Sequence, residues 1–137
     1  MTRNLWHSCE AVTVASHFVG RGPRLPRLWR AFLAAVRANG PVRVSPNRTR
    51  IAIMADMRFT GCMVRRDHLR CAFVLTRRVD DPRIVKHEFL PPIYHLHTFR
   101  LEREEQLDAT VRRWLAEAYR MGIREHVLPR VKRAASK

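Results

Sequence analysis

Apolar residues recur along this chain at two different periods, and the switch between them divides it. Pro23 and Pro26 open a stretch in which Leu25, Leu28, Trp29, Phe32, Leu33 and Val36 fall at offsets of 3, 4, 7, 8 and 11. That spacing lines one face of a helix. Asn39-Gly40-Pro41 ends it, since glycine suits a left-handed cap and proline cannot continue the helix. The spacing therefore predicts a helix over 24–39, with Arg24, Arg27, Arg30 and Arg37 as a basic ridge on its outer side.

From Val42 the period becomes two. Val42 and Val44 alternate with Arg43, Ile51–Met54 is a solid apolar run, and Phe59, Gly61 and Met63 alternate with Arg58, Thr60 and Cys62. Cys71–Leu75, Ile84–Leu90 and Tyr94–Leu101 complete the set. Turn residues separate them: Pro46-Asn47, Arg65–His68, Asp80-Asp81-Pro82 and Pro91-Pro92. Connections this short favour antiparallel pairing, because parallel neighbours need a long crossover. The helical period returns with Leu107, Val111, Trp114, Leu115 and Ala118. Glu102, Glu104, Glu105 and Asp108 precede or open that stripe and suit the first turns of a helix over 102–121.

The pattern predicts an α+β fold: a mainly antiparallel sheet of five or six strands flanked by an N-terminal and a C-terminal helix, both on the same face or one on each. Residues 1–22 read as an arm, 23–123 as one domain and 124–137 as a basic tail. Trp29, Phe32, Ile51, Ile53, Phe73, Leu75, Trp114 and Leu115 are the expected core.

Composition narrows the function classes. A chain of 137 residues with 46% hydrophobic residues can bury a core without disulfides. Its three cysteines form no CxxC, and Cys62 and Cys71 sit in apolar stretches as small core residues. No apolar run is long enough for a membrane helix and Met1–Cys9 has no apolar signal segment, so the expected location is the cytoplasm with no membrane partner. The formal charge is +15, from 27 basic and 12 acidic residues. The excess lies before residue 80, where 15 basic side chains face 3 acidic ones. A field of this sign favours polyanions. The basic residues are 24 Arg and 3 Lys, which a GC-rich genome also produces, so nucleic-acid contact and plain solubility both stay open.

The segments Asn39-Gly40-Pro41-Val42, Val44-Ser45-Pro46-Asn47-Arg48-Thr49-Arg50-Ile51-Ala52, Arg58-Phe59-Thr60-Gly61, Thr76-Arg77-Arg78-Val79-Asp80-Asp81-Pro82-Arg83, His95-Leu96-His97-Thr98-Phe99-Arg100-Leu101 and Leu115-Ala116-Glu117-Ala118-Tyr119 follow in that order. Together they resemble an uncharacterised bacterial family of small basic α+β domains of unknown function, across residues 15–123. The resemblance implies a fold distantly similar to the YdhG-like one, in relatives that stand alone or follow restriction-type nucleases. It implies no activity and no catalytic residue. Some similar proteins carry an N-terminal zinc knuckle, CxxC followed by HxC. Asn4-Leu5-Trp6-His7-Ser8-Cys9 resembles its second half, a remnant in which His7 and Cys9 supply two of the four ligands a structural zinc needs.

The sequence carries no catalytic signature, and Cys62 with His68 or His87 is the one nucleophile–base pairing it leaves open. Ser8, Ser16, Ser45 and Ser136 lack a nucleophile-elbow context, and Gly20-Arg21-Gly22-Pro23 lacks the strand and Lys-Ser/Thr of a phosphate loop. His95 and His97 share a strand face and His87 lies on the preceding strand, a weak metal candidate beside the alternative of an ordinary partly exposed histidine face. The expectation is a non-enzymatic module without cofactor that binds nucleic acid through Arg–phosphate contacts, using Arg24, Arg27, Arg30, Arg48, Arg50 and Arg58. A protein-interaction or regulatory domain is the alternative, and a metal-handling protein with a His-bearing strand a third.

Overall fold

Pro23 and Pro26 stand where a helix loses least from a missing N–H, at its cap and within its first turn. A computed structural model describes residues 12–125, and there the first helix, α1, runs Arg24–Arg37. Leu25, Leu28, Trp29, Phe32, Ala35 and Val36 are its buried stripe. Leu33 is only half-buried. Gly40, at φ +147°, follows it, and a side chain there would strike the Tyr119 hydroxyl, which donates to the Pro41 carbonyl at 3.2 Å.

Six strands follow: β1 (Arg43–Pro46), β2 (Ile51–Met54), β3 (Arg58–Val64), β4 (Leu69–Leu75), β5 (Ile84–Leu90) and β6 (Tyr94–Leu101). All pairings are antiparallel, in the order β1-β2-β3-β4-β6-β5. Each consecutive pair is thus adjacent except β4 and β5, between which β6 lies. The second helix, α2, runs Ala109–Gly122.

The start of α2 corrects the expectation of a helix from Glu102. Residues Glu104–Gln106 form a separate 3₁₀ turn. The Gln106 Oε1 accepts from the backbone N–H groups of Glu102 and Arg103, at 2.6 and 2.9 Å, and its Nε2 donates to the Arg100 carbonyl. These bonds hold the segment back against the end of β6. Asp108 is the true N-cap, its carboxylate accepting from the Val111 N–H at 3.0 Å.

Both helices lie on one face of the sheet, α2 across β3 and β4 with α1 beside it. Leu69, Cys71, Phe73 and Leu75 of β4 are buried on that face, while Arg70, Ala72 and Val74 point the other way. All eight expected core residues are buried, and so are the free thiols Cys62 and Cys71, which are register partners on β3 and β4. Burial pushes the Cys71 thiol pKa up. An Arg77–Glu117 fork, two bonds of 2.8 Å, ties the end of β4 to α2. Among the described residues no helix is long and apolar enough to cross a membrane.

Gly61 marks a close approach of two strands. A Cβ there would lie 2.5 Å from the Ile51 carbonyl oxygen and 3.1 Å from Ala52 Cα, and both are backbone. Gly61→Ala must therefore part β2 from β3, and we expect a loss of roughly 1–3 kcal/mol in denaturant unfolding, the usual scale for forced overpacking. An unchanged midpoint would contradict the close approach.

Candidate nucleic-acid interface

With both helices on one side, the other face of the sheet carries no helix among the described residues. Register places its side chains in rows across the strands. Ser45, Ala52, Gly61, Ala72, Thr98 and Lys86 are successive partners, so a line of small residues crosses from β1 to β6 and ends on a lysine. One pleat along, Met63, Arg70 and Arg100 are aligned. On the other side of the small row stand Val74, Leu96 and Glu88, then Tyr94 and Leu90.

Apart from Ser45, the small row lies at the bottom of an open cavity of about 660 Å³, with Ala52, Gly61 and Thr98 buried and Ala72 half-buried. Arg50, Arg58, Arg65, Arg70 and Lys86 line it, with Glu88 as the one carboxylate. Lys86 Nζ lies 3.6 Å from Glu88 Oε1. Among the described residues the four arginines have no ion-pair partner. Arg70 is directly opposite Arg100, a like-charge placement that costs stability in an isolated sheet. Glu102 offsets it in part, 2.9 Å from Arg100.

The six arginines singled out by sequence fall in different places. Arg50 and Arg58 line this cavity. Arg48 is exposed in the β1–β2 turn and Arg30 is exposed on α1. Arg24 donates to the backbone carbonyls of Glu102, at 2.6 Å, and Asp67. With Arg27 it lines a separate depression among Glu102, Glu104 and Glu105. The six omit Arg65, Arg70 and Lys86, which line the cavity, and Arg100, which stands on the same face opposite Arg70. The signal for Arg100 and Lys86 was present in the alternation Leu96, Thr98, Arg100 and Lys86, Glu88, but alternation does not say which face the helices leave open.

The histidines do come together, on the helix-bearing side at the β5 edge. His87 is opposite His97, with ring centroids 5.4 Å apart, and His87 Nε2 lies 2.8 Å from His95 Nδ1. His97 is fully buried, unlike the partly exposed face expected, because its ring stacks on Phe73 at 4.9 Å and 12°. The Val79 N–H donates to its Nε2 at 2.8 Å, so in neutral His97 the proton sits on Nδ1, which has no hydrogen-bond partner. Desolvation, aided by His87, pulls its pKa down to about 4. Desolvation and then Arg78 lower that of His87 as well. A metal would need the Nε2 lone pair that Val79 occupies, and among the described residues no group of three His, Cys, Asp or Glu is placed to hold one. His7 and Cys9 lie outside the described residues, as do the rest of 1–11 and the tail over 126–137.

No family model, curated protein or solved structure matches the chain. What the chain can do chemically rests on the sheet face itself. Among the described residues it offers guanidinium groups without ion-pair partners around an open cavity. Guanidinium groups suit phosphate, which they bind by paired N–H donors.

Proposed function

We propose that the protein is a non-enzymatic cytoplasmic module that binds nucleic acid on the helix-free sheet face, through Arg–phosphate contacts and without sequence readout. The observation that carries this reading is the set of four unpaired arginines, Arg50, Arg58, Arg65 and Arg70, around one cavity whose floor is made of small side chains. Small residues let a phosphate backbone lie close to the sheet. The +15 charge adds long-range attraction. Phosphate contacts set position and affinity but carry no sequence information.

The test is titration of labelled duplex DNA and single-stranded RNA between about 50 and 200 mM salt. Expected affinity at physiological salt is about micromolar or weaker, with log affinity falling linearly against log salt, by about 0.9 per phosphate neutralised on duplex DNA. Reversing Arg50 and Arg70 together to Glu should weaken binding equally across sequences and flatten the slope by about two phosphates' worth. Reversing Arg30 and Arg37, on the outer side of α1, should change little. Absence of binding at low salt would remove nucleic acid as the ligand. Equal loss from both pairs of reversals would move the site off the sheet.

A further inference from the structure

The β5 edge has a different character from the cationic face. β5 is the outermost strand, so among the described residues one side of its backbone has no strand neighbour over Ile84–Leu90. Such edges are usually blunted by charge, proline or shortness. The opposite edge is: β1 has four residues and ends at Pro46. β5 is not. Val85 is 51% exposed, Phe89 52%, Leu90 39% and Ile93 45%, four of the five large exposed hydrophobic side chains among the described residues.

We propose that this edge is a self-association surface, on which β5 of one copy pairs antiparallel with β5 of a second copy, joining two six-stranded sheets into one. The occupant follows from the strand's charge order. Seven residues, Ile84–Leu90, are centred on His87, with Lys86 and Glu88 on either side. Antiparallel pairing about His87 sets Lys86 of each copy opposite Glu88 of the other, twice over, with the bulge between Ile84 and Lys86 at the outer end of the ladder. Lys86 and Glu88 both point to the helix-free face, where they are partners of Thr98 and Leu96. They are about half exposed, so each is free to turn to a new partner. The same register brings Phe89 of one copy beside the bulged start of the other strand, where Val85 is exposed. Moving the centre by one residue either way opposes two Lys86 or two Glu88 and shortens the overlap. Cross-strand opposite charges stabilise a sheet and like charges destabilise it, so the strand is self-complementary in one register.

The resulting contact is isologous and closes at two copies. Its two-fold axis stands normal to the sheet, which keeps both helix-free faces on the same side and makes one continuous surface of the two cavities. The pairing does not depend on what that surface binds.

Sedimentation velocity on the full chain, between about 1 and 100 µM, is the test. The expected species at the upper end has twice the 16.1 kDa mass of the chain. Lys86→Glu alone and Glu88→Lys alone should each weaken dimerisation by about tenfold or more, because each sets like charges opposite at both pairings. Mixing the two variants in equal amounts should restore the dimer, since opposite charges then face each other at every pairing. Misfolding of a variant gives no such rescue, and thermal melting by circular dichroism checks each chain. The charge-swapped double variant Lys86→Glu/Glu88→Lys should dimerise as the parent does. A parent that stays monomeric throughout, single variants that dimerise like the parent, or folded variants whose mixture stays monomeric would each overturn the proposal. Nucleic-acid binding by a monomeric parent would overturn the dimer and leave the sheet-face reading intact.

Discussion

Replacing Trp114 with alanine is expected to remove about 3–5 kcal/mol of folding stability, the usual cost of deleting a buried aromatic ring. Trp114 is only 5% exposed. Its ring stacks on Phe73, with centroids 5.2 Å apart and planes within 19°, and meets Phe99 at 6.3 Å. The Arg83 guanidinium covers it at 5.0 Å, and Arg83 in turn reaches Asp81 and the α2 cap Asp108. The ring therefore joins α2, β4, β6 and the β4–β5 connection. Its removal opens a cavity and leaves Arg83 without the surface it lies on. A domain of this size has a total stability of about 5–15 kcal/mol, so the variant should lose a large part of it. Denaturant unfolding followed by circular dichroism measures the loss, and Trp114→Phe should recover part of it. A loss below about 1 kcal/mol would mean that the stack contributes no more than a surface side chain.

Acidification from pH 7 should destabilise the fold well before its carboxylates titrate. His97 has a pKa of about 4 when folded, against 6.5 for the free side chain. The unfolded chain therefore takes up the proton first. The stability that comes from holding His97 neutral is fully present above about pH 6.5, falls as pH drops towards 4, and is gone below that. The gap between the two values is worth roughly 3 kcal/mol. His87, directly opposite, is shifted in the same direction and adds to the slope. Asp67, Asp81 and Asp108 are lowered by hydrogen bonds from His68, Arg83 and the Val111 backbone respectively, so their losses come at lower pH. Unfolding free energies measured between pH 7 and 4.5 should show the decline, and His97→Phe should remove most of it while costing some stability at pH 7, where the Val79 N–H loses its acceptor. A flat profile in the parent would show that the buried imidazole protonates without penalty.

Much of this architecture can be read from one-dimensional spacing. The alternation of Val42 and Val44 with Arg43, and of Phe59, Gly61 and Met63 with Arg58, Thr60 and Cys62, identifies strands because a strand's side chains alternate whatever lies beside it. The 3, 4, 7 spacing from Leu25 to Val36 identifies α1 for the corresponding reason. Asp108 shows the limit of such reading. Carboxylates at 102, 104, 105 and 108 all suit a helix start, and only the Gln106 bonds to the β6 end separate a 3₁₀ turn from the helix proper.

The candidate site was legible in kind but not in place. An excess of arginine before residue 80 pointed to anions, yet Arg24 proved to be occupied by backbone carbonyls while Arg65 and Arg70 joined Arg50 and Arg58 at one cavity. Periodicity tells which residues of an element share a side, and nothing about which side another element covers. That choice was made when both helices packed together on the Phe73 face, burying Trp29 and Trp114 and leaving Ala52, Gly61, Ala72 and Thr98 as the floor of an open one. Strand order was decided in the same way. β6 fits between β4 and β5 because its register places His97 against Phe73 on one side and His87 on the other, with Val79 closing over the ring. The sequence alone determined the order and type of the main elements, the eight core residues it named and the sign of the surface. Contacts between residues far apart in the chain decided which face stays open, which arginines converge on it and which strand is left at the edge, because those depend on burying the most apolar surface at once rather than on any local preference.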